Sequence, residues 1–191
     1  MTILPRTFYA GDTLPVARAL LGKKLVRRLQ GKELSGIIVE TEAYCGEADS
    51  ACHAHRGKTP RNAVIYGQPG HAYVYFTYGM HYLLNVVTES EGNPGAVLIR
   101  AVLPLEGIHE MEARRKRQGA HLTNGPAKLC QAFAIDKSLN GWDLTRGKAL
   151  WVEDYRTLPV KSILATPRIG IDYAQKIHRD ALWRFLAKWP A

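Results

Sequence analysis

No stretch of 18 or more apolar residues occurs in this chain of 191 residues, so no transmembrane helix is expected. The N-terminus, with Pro5 and Arg6 close to its start, lacks the apolar core of a secretory signal. Cysteine is scarce: Cys45, Cys52 and Cys130 form no C-x-x-C pair and are odd in number, which argues against a disulfide framework and fits a reducing compartment. A soluble, intracellular protein is expected. Cys45, Cys52, His53 and His55 match no common zinc spacing, and no metal is expected there. Nor does the chain hold an H-x-E followed by P-C-x-x-C, which argues against a zinc-dependent base deaminase.

Acidic residues are in deficit: 17 Asp and Glu stand against 26 Lys and Arg, a formal charge of +9. Such a surplus favours polyanionic partners. A membrane-surface role would need a basic amphipathic helix, which the sequence does not offer. The run Arg114, Arg115, Lys116, Arg117 reads as a solvated helix face. No repeat, low-complexity tract or Pro/Gly/Ser linker divides the chain, and its length suits one core, so a single domain over 1–191 is expected.

Asp12 reads as an N-cap, and the apolar stripe Ala17, Leu20, Leu21 before Gly22 predicts a helix over 13–21. Strand-like runs follow at 24–28, 36–44, 72–78, 81–89 and 96–104. Helical spacing returns at 106–117 and at 128–135 after Pro126, then short strand signals at 149–152, 168–171 and 182–186. The expected fold class is α+β: a mixed or mostly antiparallel curved sheet with a protruding β-hairpin and helices around it.

The run 36–44 reads GIIVETEAY. Period-two geometry puts Ile38, Glu40, Glu42 and Tyr44 on one face and Ile37, Val39, Thr41 and Ala43 on the other. Two carboxylates and an aromatic therefore share a face near a strand end, where a purely structural strand would stay apolar. The long loop after it mixes acid, histidine and base, and Thr59, Pro60, Arg61 and Asn62 could open a turn that offers backbone donors to a phosphate. In YVYFTYGMHY, over 73–82, Tyr73 and Phe76 read as core, while Gly79-Met80 suits a two-residue hairpin loop that leaves Tyr78 at the tip. An aromatic with little to pack against suits insertion into a base stack.

VETEAY at 39–44, TPRN at 59–62, YVYFTYGMHYLLN at 73–85, VLIRAVLPLEG at 97–107, GPAKLCQA at 125–132 and RIGI at 168–171 resemble, in this order, the alkyladenine (3-methyladenine) DNA glycosylase family. The resemblance runs from about residue 6 to the C-terminal region and corresponds to a catalytic core without the long N-terminal extension of some members. It implies a monofunctional DNA glycosylase that flips alkylated or deaminated purines out of duplex DNA and hydrolyses the N-glycosidic bond, leaving an abasic site. By the same resemblance Glu42 is the water-activating base, and Tyr44, His53, Tyr75 and Asn85 form the base pocket. Tyr78 is the residue inserted into the DNA, and Arg100 lies near the nucleotide backbone; Arg61, in TPRN, is a further backbone candidate. No cofactor is implied. The expected partner is double-stranded DNA containing damaged purines, bound by a monomer, in the nucleoid of a bacterium or the nucleus of a eukaryote.

His81, Tyr82 and Leu83 stand where family members vary, which bears on the packing of the hairpin. Two other functions fit the residues. One is a metal-dependent nuclease with Glu40, Glu42, Glu47 and Asp49 as ligands; the other is a non-catalytic binder of damaged DNA that keeps the aromatic wedge without needing Glu42.

Overall fold

The computed structural model describes residues 2–188. Its strands are β1 (Lys24–Leu29), β2 (Lys32–Tyr44), β3 (Ala72–Thr77), β4 (His81–Val87), β5 (Ala96–Glu106), β6 (Leu150–Glu153), β7 (Ile163–Thr166) and β8 (Arg184–Ala187). They form one sheet in the order β3-β4-β5-β2-β1-β6, with β8 pairing to the far half of β2 and β7 to β8. Every pairing is antiparallel. The helices are short: α1 (Arg6–Tyr9), α2 (Thr13–Ala19), α3 (Ile108–Arg115), α4 (Pro126–Ala132) and α5 (Lys176–Arg179). The result is the single-domain α+β architecture the pattern predicts.

Alternation decides which side of the sheet becomes core. Ala72 and Val74 on β3, Leu84 and Val86 on β4, and Val97 and Ile99 on β5 point to one side, into the main core with Leu20, Leu129 and Phe133 from the helical side. Full burial of a Leu or Phe contributes about 1.5–3 kcal/mol, so this layer carries the fold. The intervening residues of the same strands point the other way. That second face is covered only in part, by the loop after β2 and by the segment after β7.

Several local expectations change. Asp12 occupies the N-cap of α2 without making a cap hydrogen bond; Glu89 instead accepts from the Thr13 N–H at 2.7 Å and from its hydroxyl at 2.7 Å. Gly22 does end this region, with φ +84 and a Cβ position only 2.8 Å from the Arg156 carbonyl oxygen. The run 168–171 is not a strand: the chain pairs earlier, as β7, and then turns away through Gly170 at φ +76. The hairpin loop has three residues, since Thr77 pairs with His81 around Tyr78, Gly79 and Met80. Phe76 is about half exposed and contacts Tyr82 at a ring distance of 5.0 Å, so it is not core.

Candidate active site

The second face of the sheet carries a cleft of about 410 Å³. Its floor is three strands deep: Tyr73, Tyr75 and Thr77 from β3, His81, Leu83 and Asn85 from β4, and Ala96, Leu98 and Arg100 from β5. These are the alternate positions to those that fill the core, which is why one sheet can hold both. Register aligns Tyr73, Asn85, Leu98 and Glu42 in a single row across β3, β4, β5 and β2. The loop after β2 supplies Ala51, Cys52 and His53 to one wall, and the segment after β7 supplies Ile169, Ile171 and Tyr173 to the other.

Glu42 sits at the end of that row, fully buried. Its two carboxylate oxygens are held from three directions. The Tyr44 hydroxyl donates to Oε2 at 2.9 Å, the Arg100 guanidinium lies 3.1 Å from the same oxygen, and the Ile169 N–H donates to Oε1 at 2.8 Å. Glu42 lies on the cleft side of the sheet but is covered by Tyr44, Arg100 and Ile169, which line the cleft and each touch its carboxylate. Burial and the neighbouring carboxylate hold the Tyr44 hydroxyl protonated well above its ordinary value, so it serves as a donor. Burial opposes the charge of Arg100, but Glu42 and then Glu40 outweigh it and raise its pKa. A bulge around Val39 and Arg100 interrupts the ladder, yet Glu40 and Glu42 still meet the same guanidinium, at 2.9 and 3.1 Å. Glu40 is also bonded to Arg184 at 3.1 Å.

An aromatic corner stands opposite. The His53 ring lies 4.5 Å from that of Tyr75, and Tyr73 and Tyr75 are 5.4 Å apart. His53 Nδ1 meets the Tyr73 hydroxyl at 2.8 Å. Desolvation against these rings, and secondly Arg61, hold His53 below its usual pKa, so it is neutral at neutral pH although its outer edge is open to solvent. Burial pushes Tyr73 up to about 12. Asn85 is buried beside this corner and donates to the Tyr73 carbonyl oxygen at 3.2 Å. At the hairpin tip Tyr78 is 81% exposed in the left-handed region, φ 52, an uncommon place for a bulky side chain.

Seven of the eight sequence-predicted residues thus gather at one cleft: Tyr44, His53, Tyr75, Tyr78, Asn85 and Arg100 line it, and Glu42 lies directly behind. Arg61 lies outside the lining, exposed, its guanidinium 3.4 Å from the Phe76 carbonyl oxygen. Its neighbour Asn62 is buried and turned inward, donating to the carbonyls of His53 at 2.8 Å and Gly57 at 2.9 Å. TPRN therefore clamps the His53 loop. Tyr73, read as core, is indeed buried, but its hydroxyl reaches the site. The nuclease ligand set is not assembled: Glu40 and Glu42 share Arg100, Glu47 accepts from Tyr66 at 2.8 Å, and Asp49 pairs with Arg168 at 2.5 Å. Among the described residues no three His, Cys, Asp or Glu side chains converge to hold a metal ion. Burial pushes the Cys52 thiol in the cleft wall up to about 11, which keeps it from acting as a thiolate.

Over residues 7–190 the sequence matches the family model described as methylpurine-DNA glycosylase. The chain belongs to the methylpurine-DNA glycosylase family. It is 53% identical to a Methanocella arvoryzae protein named "Putative 3-methyladenine DNA glycosylase", over 98% of this chain and 94% of that one. A protein of the same name from Desulfitobacterium hafniense is 50% identical over 97% of this chain and 95% of its own length. Family membership makes this chain a DNA glycosylase of the 3-methyladenine type, a hydrolase whose substrate is DNA, and gives the cleft its chemical context. The described residues also contain no helix long and apolar enough to cross a membrane.

Proposed function

We propose that this glycosylase flips an alkylated or deaminated purine from duplex DNA into the cleft and hydrolyses its glycosidic bond with a water activated by Glu42. The observation that carries the reading is the single cross-strand row that sets the buried carboxylate beside a cleft walled by Tyr44, His53 and Tyr75. A base leaves the stack at a cost of a few kcal/mol, and aromatic stacking returns about 1–3 kcal/mol per contact. Electron-poor alkylated purines gain further from the ring faces. Bond cleavage leaves positive charge on the sugar, which a fixed carboxylate stabilises while it orients water.

In this reading Tyr78 enters the gap left by the flipped nucleotide, Arg100 faces the nucleotide backbone while holding Glu42, and Arg61 meets the DNA beside the hairpin. When the Tyr73 hydroxyl donates to His53 Nδ1, the ring proton sits on Nε2 and offers a donor to a base edge. The proposed base, pocket and wedge residues meet at one cleft, so the reading needs no residue from a second copy and action as a monomer is part of it.

Asn85 supplies the test of substrate class. Buried and fixed to Tyr73, it crowds the cleft floor, so an exocyclic amino group of guanine meets a steric and polar penalty there. Against single-lesion duplexes, the wild type should release alkylated adenine and hypoxanthine, and Asn85→Ser should raise the excision of guanine lesions relative to adenine lesions by roughly tenfold. Release of no lesion base would overturn the function; an unchanged guanine-to-adenine ratio would remove Asn85 from selectivity.

A further inference from the structure

Behind the cleft wall lies an ion pair that the glycosylase reading leaves unused. Asp49 and Arg168 are both buried, with side chains wholly inaccessible, and 119 residues separate them in sequence. Two parallel hydrogen bonds join them: Nη1 to Oδ2 at 2.5 Å and Nη2 to Oδ1 at 2.8 Å. The guanidinium also donates to the Ala43 carbonyl at 2.8 Å and to the His178 carbonyl at 3.1 Å. Its flat faces lie against the rings of Tyr44 at 4.8 Å and Trp183 at 4.9 Å. Asp49 in turn accepts from the N–H groups of Cys45 at 3.1 Å and Ala51 at 3.0 Å.

These contacts bind together the three segments that converge on Glu42. Ala43, between Glu42 and Tyr44 on β2, is held by its carbonyl. The loop from Cys45 through Ala51 toward His53 is held by Asp49. Arg168 itself precedes Ile169, whose N–H fixes the Glu42 carboxylate at 2.8 Å. A buried ion pair is weak grounds for stability, because desolvation of both charges offsets their attraction, and here the buried Arg168 Nε has no partner at all. A planar, two-pronged group stacked between rings is instead a means of fixing direction.

We propose that Asp49 and Arg168 are positioning residues for the hydrolysis: the pair holds the Ile169 N–H and the Tyr44 ring in the places that aim the Glu42 carboxylate. The inference rests on the reading of Glu42 as the base, and it assigns the pair an effect on the cleavage step rather than on lesion binding. An ångström of misplacement in a reacting group lowers rates by as much as 10²-fold. Arg168→Lys keeps the charge but loses the fork and the stacking; Asp49→Asn keeps the shape but loses the charge.

The test is single-turnover excision from a duplex with one hypoxanthine, for Arg168→Lys, Asp49→Asn, Glu42→Gln and each pairing with Glu42→Gln. At saturating enzyme the rate constant reports bound, folded molecules, and far-ultraviolet circular dichroism gives the folded fraction. The rate constant should fall about 10- to 100-fold in each single positioning variant. The half-saturating enzyme concentration should move far less than the rate constant, since neither Asp49 nor Arg168 lines the cleft and Tyr75 and Asn85 stay fixed on β3 and β4. Added to Glu42→Gln, either change should cost little more, as expected for residues acting through one group. Two results overturn the proposal while leaving Glu42 as base: wild-type rate constants, or effects that multiply fully with Glu42→Gln. A Glu42→Gln enzyme near wild type would instead overturn the reading beneath it, and the proposal with it.

Discussion

Glu42→Gln should leave lesion binding nearly intact while single-turnover excision falls by ~10²–10⁴, the usual range for loss of a general base. Loss of a negative charge beside the cationic sugar adds to the deficit. The substitution is nearly isosteric, and Arg100 is not left as an unpaired buried charge, because Glu40 remains bonded to it at 2.9 Å. That matters, since stranding one member of a buried pair commonly costs several kcal/mol and would confuse a catalytic loss with unfolding. Glu40→Gln is the matched control. It sits on the same strand face, meets the same guanidinium and is also tied to Arg184 at 3.1 Å, yet it touches neither Tyr44 nor the Ile169 N–H. Its effect should be far smaller. Excision by Glu42→Gln within a few-fold of wild type, or a Glu40 variant that is the more sensitive, would reject Glu42 as the base.

Removal of the Tyr78 ring should act on a different step. The side chain is 81% exposed at the end of a two-stranded arm, so its burial contributes little to the fold. Its worth lies in what it enters. Stacking against bases is worth about 1–3 kcal/mol, so Tyr78→Ala should weaken the flipped state by roughly five- to hundredfold. Cleavage of a base already in the cleft should be spared, because the Glu42 contacts come from β2, β5 and the segment after β7. A 2-aminopurine placed beside the lesion reports the flipping equilibrium, and alanine retains the left-handed backbone demand at this position, φ 52. Equal fluorescence for variant and wild type would make Tyr78 a surface residue only.

What sequence alone reveals of this site follows from the range of the signals involved. Period-two alternation is local, and it correctly puts Glu42 and Tyr44 on one face, where the hydroxyl and carboxylate meet at 2.9 Å. The same alternation divides β3, β4 and β5 between cleft and core, but the sequence does not mark which face is which: Tyr73 and Phe76, on opposite faces, both read as core. Tyr73 shows the limit: a buried strand tyrosine reads as core, and its bond to His53 depends on a loop residue 20 positions earlier in sequence. Arg168 is the larger miss. RIGI has the apolar alternation of a strand, but Arg168 is drawn inward by Asp49, 119 residues away, and no periodicity encodes such a pairing. Short helices such as α1 and α5 are too brief to carry a helical period, and Asp12 made a plausible cap that Glu89 supplanted from across the fold. Arg61 and Asn62 exchange prominence for the same reason: which of two polar neighbours turns inward is settled by tertiary partners.

Hydrolysis by a water activated at Glu42, with no metal ion, fixes the products of a single-hypoxanthine duplex treated in EDTA and H₂¹⁸O under single-turnover conditions. They should be free hypoxanthine, an uncut strand bearing an abasic sugar, and ¹⁸O on that sugar in the wild-type reaction quenched promptly with borohydride, which reduces the sugar before its aldehyde takes up solvent label by exchange. No protein–DNA adduct should be trapped by the reductant. A borohydride-trapped adduct, strand scission at the lesion, or activity that vanishes in the chelator and returns with Mg²⁺ would contradict it.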